Sequence, residues 1–183
     1  MKIPRSPQIL RPLPYAYDAI EPVLSAEAML IHHVNHQGGY VKKFNKLLKN
    51  GGSEEDLEFN YSAHILHTLY FNNLASPHST HPGPKFLASF PSAENCLLEM
   101  LQEASNIKGS GWALLVEDNK GLSIKSIPNH ELGRVVNKCK PILVLDLWEH
   151  AWYLDYQSDK ADFLESIKSC INWDKVESRL AQV

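Results

Sequence analysis

At 183 residues and a net charge of −3, the chain is the size of one ordinary domain, or of two small ones sharing an interface. Its 44% hydrophobic and 21% charged residues exclude disorder, collagen and coiled coil, and the lack of any Lys/Arg run argues against nucleic acid as a partner. The longest apolar stretches, 112–116 and 142–145, fall far short of the roughly 20 residues that cross a bilayer, so no membrane partner is expected. The opening segment Met1–Arg11 sets Lys2, Arg5 and Arg11 among prolines without an apolar centre, unlike a secretory signal; a trimmed organellar remnant stays open. Three widely spaced cysteines (Cys96, Cys139, Cys170) form no CxxC pair, which suits a reducing compartment and predicts a cytoplasmic protein.

Ser25 reads as a helix N-cap, with Glu27 in the first turn. Apolar Met29, Leu30, Val34, Val41, Phe44 and Leu48 then recur at helical intervals up to the stop at Asn50-Gly51-Gly52. Gly38-Gly39 inside that pattern predicts a kink, a close backbone approach, or a split into two helices. A second helix is predicted over 63–74, before the loop-like stretch Ser76–Pro84. A domain boundary is placed there: an N-terminal helical hairpin over 1–80 and an α/β domain over 81–183.

In the second half, 93–105 reads as an amphipathic helix and 111–116 as a strand. Asp118-Asn119-Lys120-Gly121 reads as a hairpin turn into a second strand, 122–127. Residues 141–145 form a third, buried strand, and 161–169 and 173–181 look helical. The fold class is α+β: an N-terminal antiparallel helical hairpin, then a small three-stranded antiparallel sheet with surrounding helices.

Nine histidines are the lead toward function. His32 and His36 stand four apart, His64 and His67 three apart, and Asp146 and His150 four apart. Such spacings share a helix face, so each segment can aim ligands at one point. Neutral imidazoles with one carboxylate and no thiolate suit iron, manganese or zinc. On the residues alone the bland reading stands beside this one: surface or capping histidines, with Asp146 an N-cap.

A resemblance reaches further. Leu13-Pro-Tyr-Ala-Tyr-Asp18, Ser25-Ala-Glu-Ala-Met29, His32-His-Val-Asn-His36 with Tyr40-Val, and Phe59-Asn60 with His64-Ile-Leu-His67 resemble the iron/manganese superoxide dismutases. So do Gly109-Ser-Gly-Trp112, Ile171-Asn-Trp173 and above all Asp146-Leu-Trp-Glu-His-Ala-Trp-Tyr153. The likeness runs in order along essentially the whole chain. It implies an enzyme that disproportionates superoxide to dioxygen and hydrogen peroxide, by ping-pong cycling of one Fe or Mn ion per subunit between +3 and +2. It implies His32, His67, Asp146 and His150 as metal ligands, and His36 and Tyr40 at the mouth of the substrate funnel. It further implies Phe71, Trp112 and Trp148 as an apolar cage, and Glu149 and Tyr153 reaching across a homodimer interface. His33 and His64 become packing or hydrogen-bonding residues behind the site, and His78 and His81 solvated ones.

The sequence departs from the family pattern in a few places. A glutamine usually stands beside the metal-bound solvent; its two source positions here hold Ala63 and His130, so His130 is expected to take the role. Some relatives with histidine there tolerate either metal. Lys160 stands where an arginine is expected, keeping the charge but losing the planar fork. Phe71 replaces a frequent tryptophan, and the 45–59 connection is short. Lys42, Lys43 and Lys160 are candidates to steer the anion despite the negative net charge. Two other functions compete with dismutation. A non-catalytic relative would be expected to lose ligands, and all four are present; a zinc hydrolase would be expected to carry an HExxH motif, and none occurs.

Overall fold

A computed structural model gives the fold of residues 1–180. After an N-terminal strap, the Ser25 hydroxyl accepts from the Ala28 N–H at 3.1 Å and starts the first helix. Helical backbone then runs through α1 (Ala26–Leu30), a π-helical stretch (Ile31–Gln37) and α2 (Gly38–Asn50). Of the three readings of Gly38-Gly39, a close approach is what Gly38 shows: a Cβ there would meet Leu10 Cδ2 of the strap at 3.2 Å. Gly51, at φ 74, ends α2 in the left-handed conformation.

Helix α3 (Glu54–Asn72) starts well before residue 63. The Ser53 hydroxyl caps it by accepting from the Asp56 N–H at 3.1 Å, and Glu54, Glu55 and Asp56 oppose the macrodipole in its first turn. Its buried residues, from Leu57 and Asn60 through Ala63, His64 and His67 to Phe71, lie on several faces. No clean apolar stripe therefore marks where it begins.

The sheet has the order β2–β1–β3, all antiparallel, from β1 (Gly111–Asp118), β2 (Gly121–Pro128) and β3 (Lys140–Asp146). Asn119-Lys120 form the hairpin loop, closed by Gly121 at φ 112. β1 is central and buries both faces. Trp112, Leu114 and Val116 enter a core with Tyr70, Phe71 and Val144, while Ala113 and Leu115 enter a second core with Phe86, Met100 and Trp173. The register sets Trp112 opposite Asp146, which fixes one wall of the site.

The remaining helices are α4 (Pro84–Leu87), α5 (Ala93–Ala104), α6 (Gly133–Val136), α7 (Tyr153–Tyr156), α8 (Lys160–Ser166) and α9 (Trp173–Leu180). Residue 181 of the last predicted helix lies outside the described residues. The short α4 was not legible from local pattern. A distant residue supports it: the Glu177 carboxylate accepts from the N–H groups of Lys85 and Phe86 at 2.8 and 3.1 Å. Asn73, just past α3, ties the helices to the sheet by accepting from the Val144 N–H at 3.1 Å.

Candidate metal centre

His32 comes from the π-helical stretch, His67 from α3, Asp146 from the end of β3, and His150 from a 3₁₀ turn, Glu149–Ala151. One ligand atom from each lies within 4.8 Å of the others. Asp146 Oδ1 accepts from the Trp148 N–H at 2.9 Å, which orients the carboxylate and begins the turn carrying His150. Its other oxygen, Oδ2, lies 3.1 Å from His32 Nε2, 3.3 Å from His150 Nε2 and 3.8 Å from His67 Nε2. Ligands bonded at about 2 Å and spread by 90–120° stand about 3–3.6 Å apart, close to these spacings.

The proton positions favour a cation. His67 Nδ1 meets the Ala63 carbonyl at 2.7 Å, and a carbonyl only accepts, so the His67 proton sits on Nδ1. A bare, buried lone pair on Nε2 is left facing His150 Nε2 at 3.3 Å and the carboxylate. It cannot hydrogen-bond that carboxylate; a cation satisfies both. Burial lowers His32 from 6.5 to about 4 and lowers His67 well below its ordinary value. Burial pushes Asp146 up, but attraction to His150 and hydrogen bonds from His150 and His32 outweigh it and hold the carboxyl well below its usual range. Imidazoles held neutral at His32 and His67 beside an ionised carboxylate are ligating forms, and the three-imidazole, one-carboxylate donor set fits iron or manganese.

Aromatic side chains surround the cluster. Phe71 lies 4.8 Å from His32 and Trp112 5.0 Å from His67, centroid to centroid. Trp148 stacks on His130 at 4.4 Å and on His150 at 5.4 Å. His36 does not join the four. Its ring stands across that of His32 at 85° and stacks on His150 at 4.4 Å. His64 also points elsewhere, so each of the two helical histidine pairs supplies one member to the cluster, whereas Asp146 and His150 both enter it.

A directional chain of hydrogen bonds approaches from the sheet side. The indole Nε1–H of Trp112 can only donate, and it meets His130 Nδ1 at 3.1 Å. The His130 proton is therefore on Nε2, 2.9 Å from the Tyr40 hydroxyl. Burial lowers His130 to about 4, which keeps the ring neutral with that single N–H. Tyr40 accepts it and keeps its own proton to give; burial and the Asp146 charge push the phenol up to about 12. Asn129, at φ 48, makes the turn that presents His130.

Lys160 is half-buried, with its ammonium 5.9 Å from the centre of the Trp152 ring. Glu149 and Tyr153 are exposed, as are His78, His81, Lys42 and Lys43. Phe59 and Tyr70 were not assigned places from sequence. The Phe59 ring lies 5.0 Å from His130, and the Tyr70 ring 5.4 Å from His32. The Phe59 signal was present: residues 59, 63 and 67 share one face of α3.

Residues 8–75 match the family model described as the α-hairpin domain of iron/manganese superoxide dismutases, and residues 83–179 match that of the C-terminal domain. The chain belongs to the iron/manganese superoxide dismutase family. One relative, named an iron superoxide dismutase from Pyrobaculum aerophilum, is 38% identical over 93% of this chain and 90% of its own length. One named a manganese superoxide dismutase from Chlamydia muridarum is 34% identical over 93% and 94%. A third, named a manganese/iron superoxide dismutase from Aeropyrum pernix, is 34% identical over 94% and 90%. These three relatives thus carry names with either metal or both.

Proposed function

We propose that this chain disproportionates superoxide on a single iron or manganese ion held by His32, His67, Asp146 and His150. The observation that carries the reading is the convergence of three imidazoles on one carboxylate oxygen, with the His67 proton fixed on the far nitrogen. When bound, such an ion exchanges one electron between its +3 and +2 states, oxidising one superoxide to dioxygen and reducing a second, with two protons, to hydrogen peroxide.

The protein's part is geometry, exclusion and proton supply. Phe71, Trp112 and Trp148 keep bulk water from the ligands and lower the local dielectric. Tyr40, held as an acceptor by His130 Nε2–H, offers its own O–H proton to the anion. His130 acts by positioning: its one N–H is spent on Tyr40, which leaves none for solvent beside the ligands. His36 covers His150 at the mouth, and Lys160 adds positive charge near Asp146 and Glu149.

A homodimer in the cytoplasm completes the reading. Tyr153 and Leu154, 54% and 52% exposed, together with exposed Glu149, flank His150 and offer an apolar face for a second copy. All three cysteines are free, and no helix among the described residues is long and apolar enough to cross a membrane. The two units divide at residues 80 and 81, with the metal at their seam: His32 and His67 from one, Asp146 and His150 from the other.

The test is superoxide dismutation by protein loaded separately with iron and with manganese, with rates normalised to bound metal. Comparable turnover with both supports a metal-tolerant site, and turnover with one names the cofactor. Stoichiometric metal with negligible turnover in both forms retires the proposal. Sedimentation of the loaded protein tests the dimer, and a monomer at micromolar concentration contradicts it.

A further inference from the structure

Behind Phe71, between the N-terminal strap and the helices, lies a cavity of about 580 Å³. Its roof is pinned at two points. The Gln8 backbone exchanges two hydrogen bonds with the Asn45 amide, both at 2.8 Å, and the Arg11 carbonyl accepts from His33 Nε2 at 2.9 Å. The cavity therefore belongs to the folded architecture instead of opening by chance between loose segments.

Its polar floor has an assigned direction. The Gln37 side-chain nitrogen lies 3.2 Å from the His64 carbonyl, which only accepts, and 2.8 Å from the Thr68 hydroxyl. Thr68 gives its own proton to the His64 carbonyl at 2.9 Å, so it accepts from Gln37. The same nitrogen faces His64 Nδ1 at 3.1 Å, which must accept as well. The His64 proton is therefore on Nε2, and no acceptor among the described residues takes it. Burial lowers the His64 pKa, so the ring is neutral with that one N–H to give.

The charge around the cavity has one sign. Arg11 lines it, no carboxylate does, and no ion pair among the described residues engages Arg11. In a chain of net charge −3, a cavity with a cation and a spare donor but no acid favours an anion. Leu13, Ile65 and Phe71 supply apolar wall, and the volume far exceeds what an inorganic anion fills. We propose that this cavity binds a small organic carboxylate, paired with Arg11 and hydrogen-bonded by His64 Nε2–H, its apolar body against Leu13, Ile65 and Phe71.

The proposal stands apart from the metal chemistry, and its test does not read turnover. Benzoate is titrated by calorimetry into the metal-loaded protein, into an Arg11→Gln variant and into protein saturated with phosphate. One benzoate per chain with a Kd below about 1 mM is expected. Arg11 is exposed, so its variant is expected to fold, and losing a charged hydrogen-bonding partner should weaken benzoate by about tenfold or more. Phosphate should leave the affinity unchanged. Absence of binding overturns the proposal. So does equal affinity in Arg11→Gln, which would put the anion elsewhere, and so does displacement by phosphate, which would mark a generic anion site.

Discussion

Four buried histidines on two helices divide into two pairs of opposite use. His32 and His33 are adjacent in the chain and equally buried, at 2% and 3% exposure, and His64 and His67 lie one turn apart. In front, His32 and His67 turn Nε2 toward Asp146. Behind, His33 donates to the Arg11 carbonyl and accepts from the Tyr17 hydroxyl at 2.9 Å, while His64 accepts from Gln37. Burial does not separate a histidine of the candidate metal cluster from a structural one. What separates them is where the second nitrogen's proton goes, and whether an anion waits opposite the first.

The sharpest way to break that division is Asp146→Asn. Without its anion the front pair becomes a cluster of neutral imidazoles, and metal affinity should fall by more than the roughly 100-fold cost of losing an outer hydrogen bond. Metal per chain after dialysis reads this directly; full retention would mean that the imidazoles alone suffice.

Acid should expose the same asymmetry in the metal-free protein. His32 and His130 sit near 4 when folded against an ordinary 6.5, so between those values the unfolded chain binds more protons and stability falls as pH drops. Their contribution is whole above pH 6.5 and gone below about 4. A melting temperature that stays flat across that window would contradict the buried neutral state.

His130→Ala is next in size. It orphans the Trp112 indole N–H, at a cost of about 1–3 kcal/mol in denaturant melts, and releases Tyr40, so turnover should fall while metal content holds. His130→Gln should recover most of both, because an amide oxygen can accept from Trp112 while its nitrogen donates to Tyr40. Failure of glutamine to recover either would remove the positioning role. The smallest effect belongs to the back pair: Gln37→Leu should cost about 1 kcal/mol in stability and leave metal content and turnover unchanged. Lost metal in that variant would join the two regions that the structure keeps apart.

Much of this was legible in the chain. Helix starts at Ser25, the hairpin at Asn119-Lys120 and the three strands followed from local chemistry, and the family resemblance pointed to the four residues that converge. Long-range effects were not legible. The early start of α3 was masked by burial on several faces, and α4 depends on a carboxylate from Glu177, far along the chain. Spacing put His36 and His64 on equal terms with His32 and His67; only the π-helical turn, the Ala63 carbonyl and the Gln37 amide separate them. His130 was expected to donate toward solvent beside the metal. What spacing could not show is the pair of contacts at its ring: the Trp112 N–H meets Nδ1, and Nε2 lies 2.9 Å from the Tyr40 hydroxyl.

The most direct test of the front–back division is anomalous diffraction at the iron edge from crystals of iron-loaded protein. A single peak per chain between His32 Nε2, His67 Nε2, Asp146 Oδ2 and His150 Nε2, with none near His33 or His64, is the predicted result. Bound iron with its peak anywhere else would contradict the account.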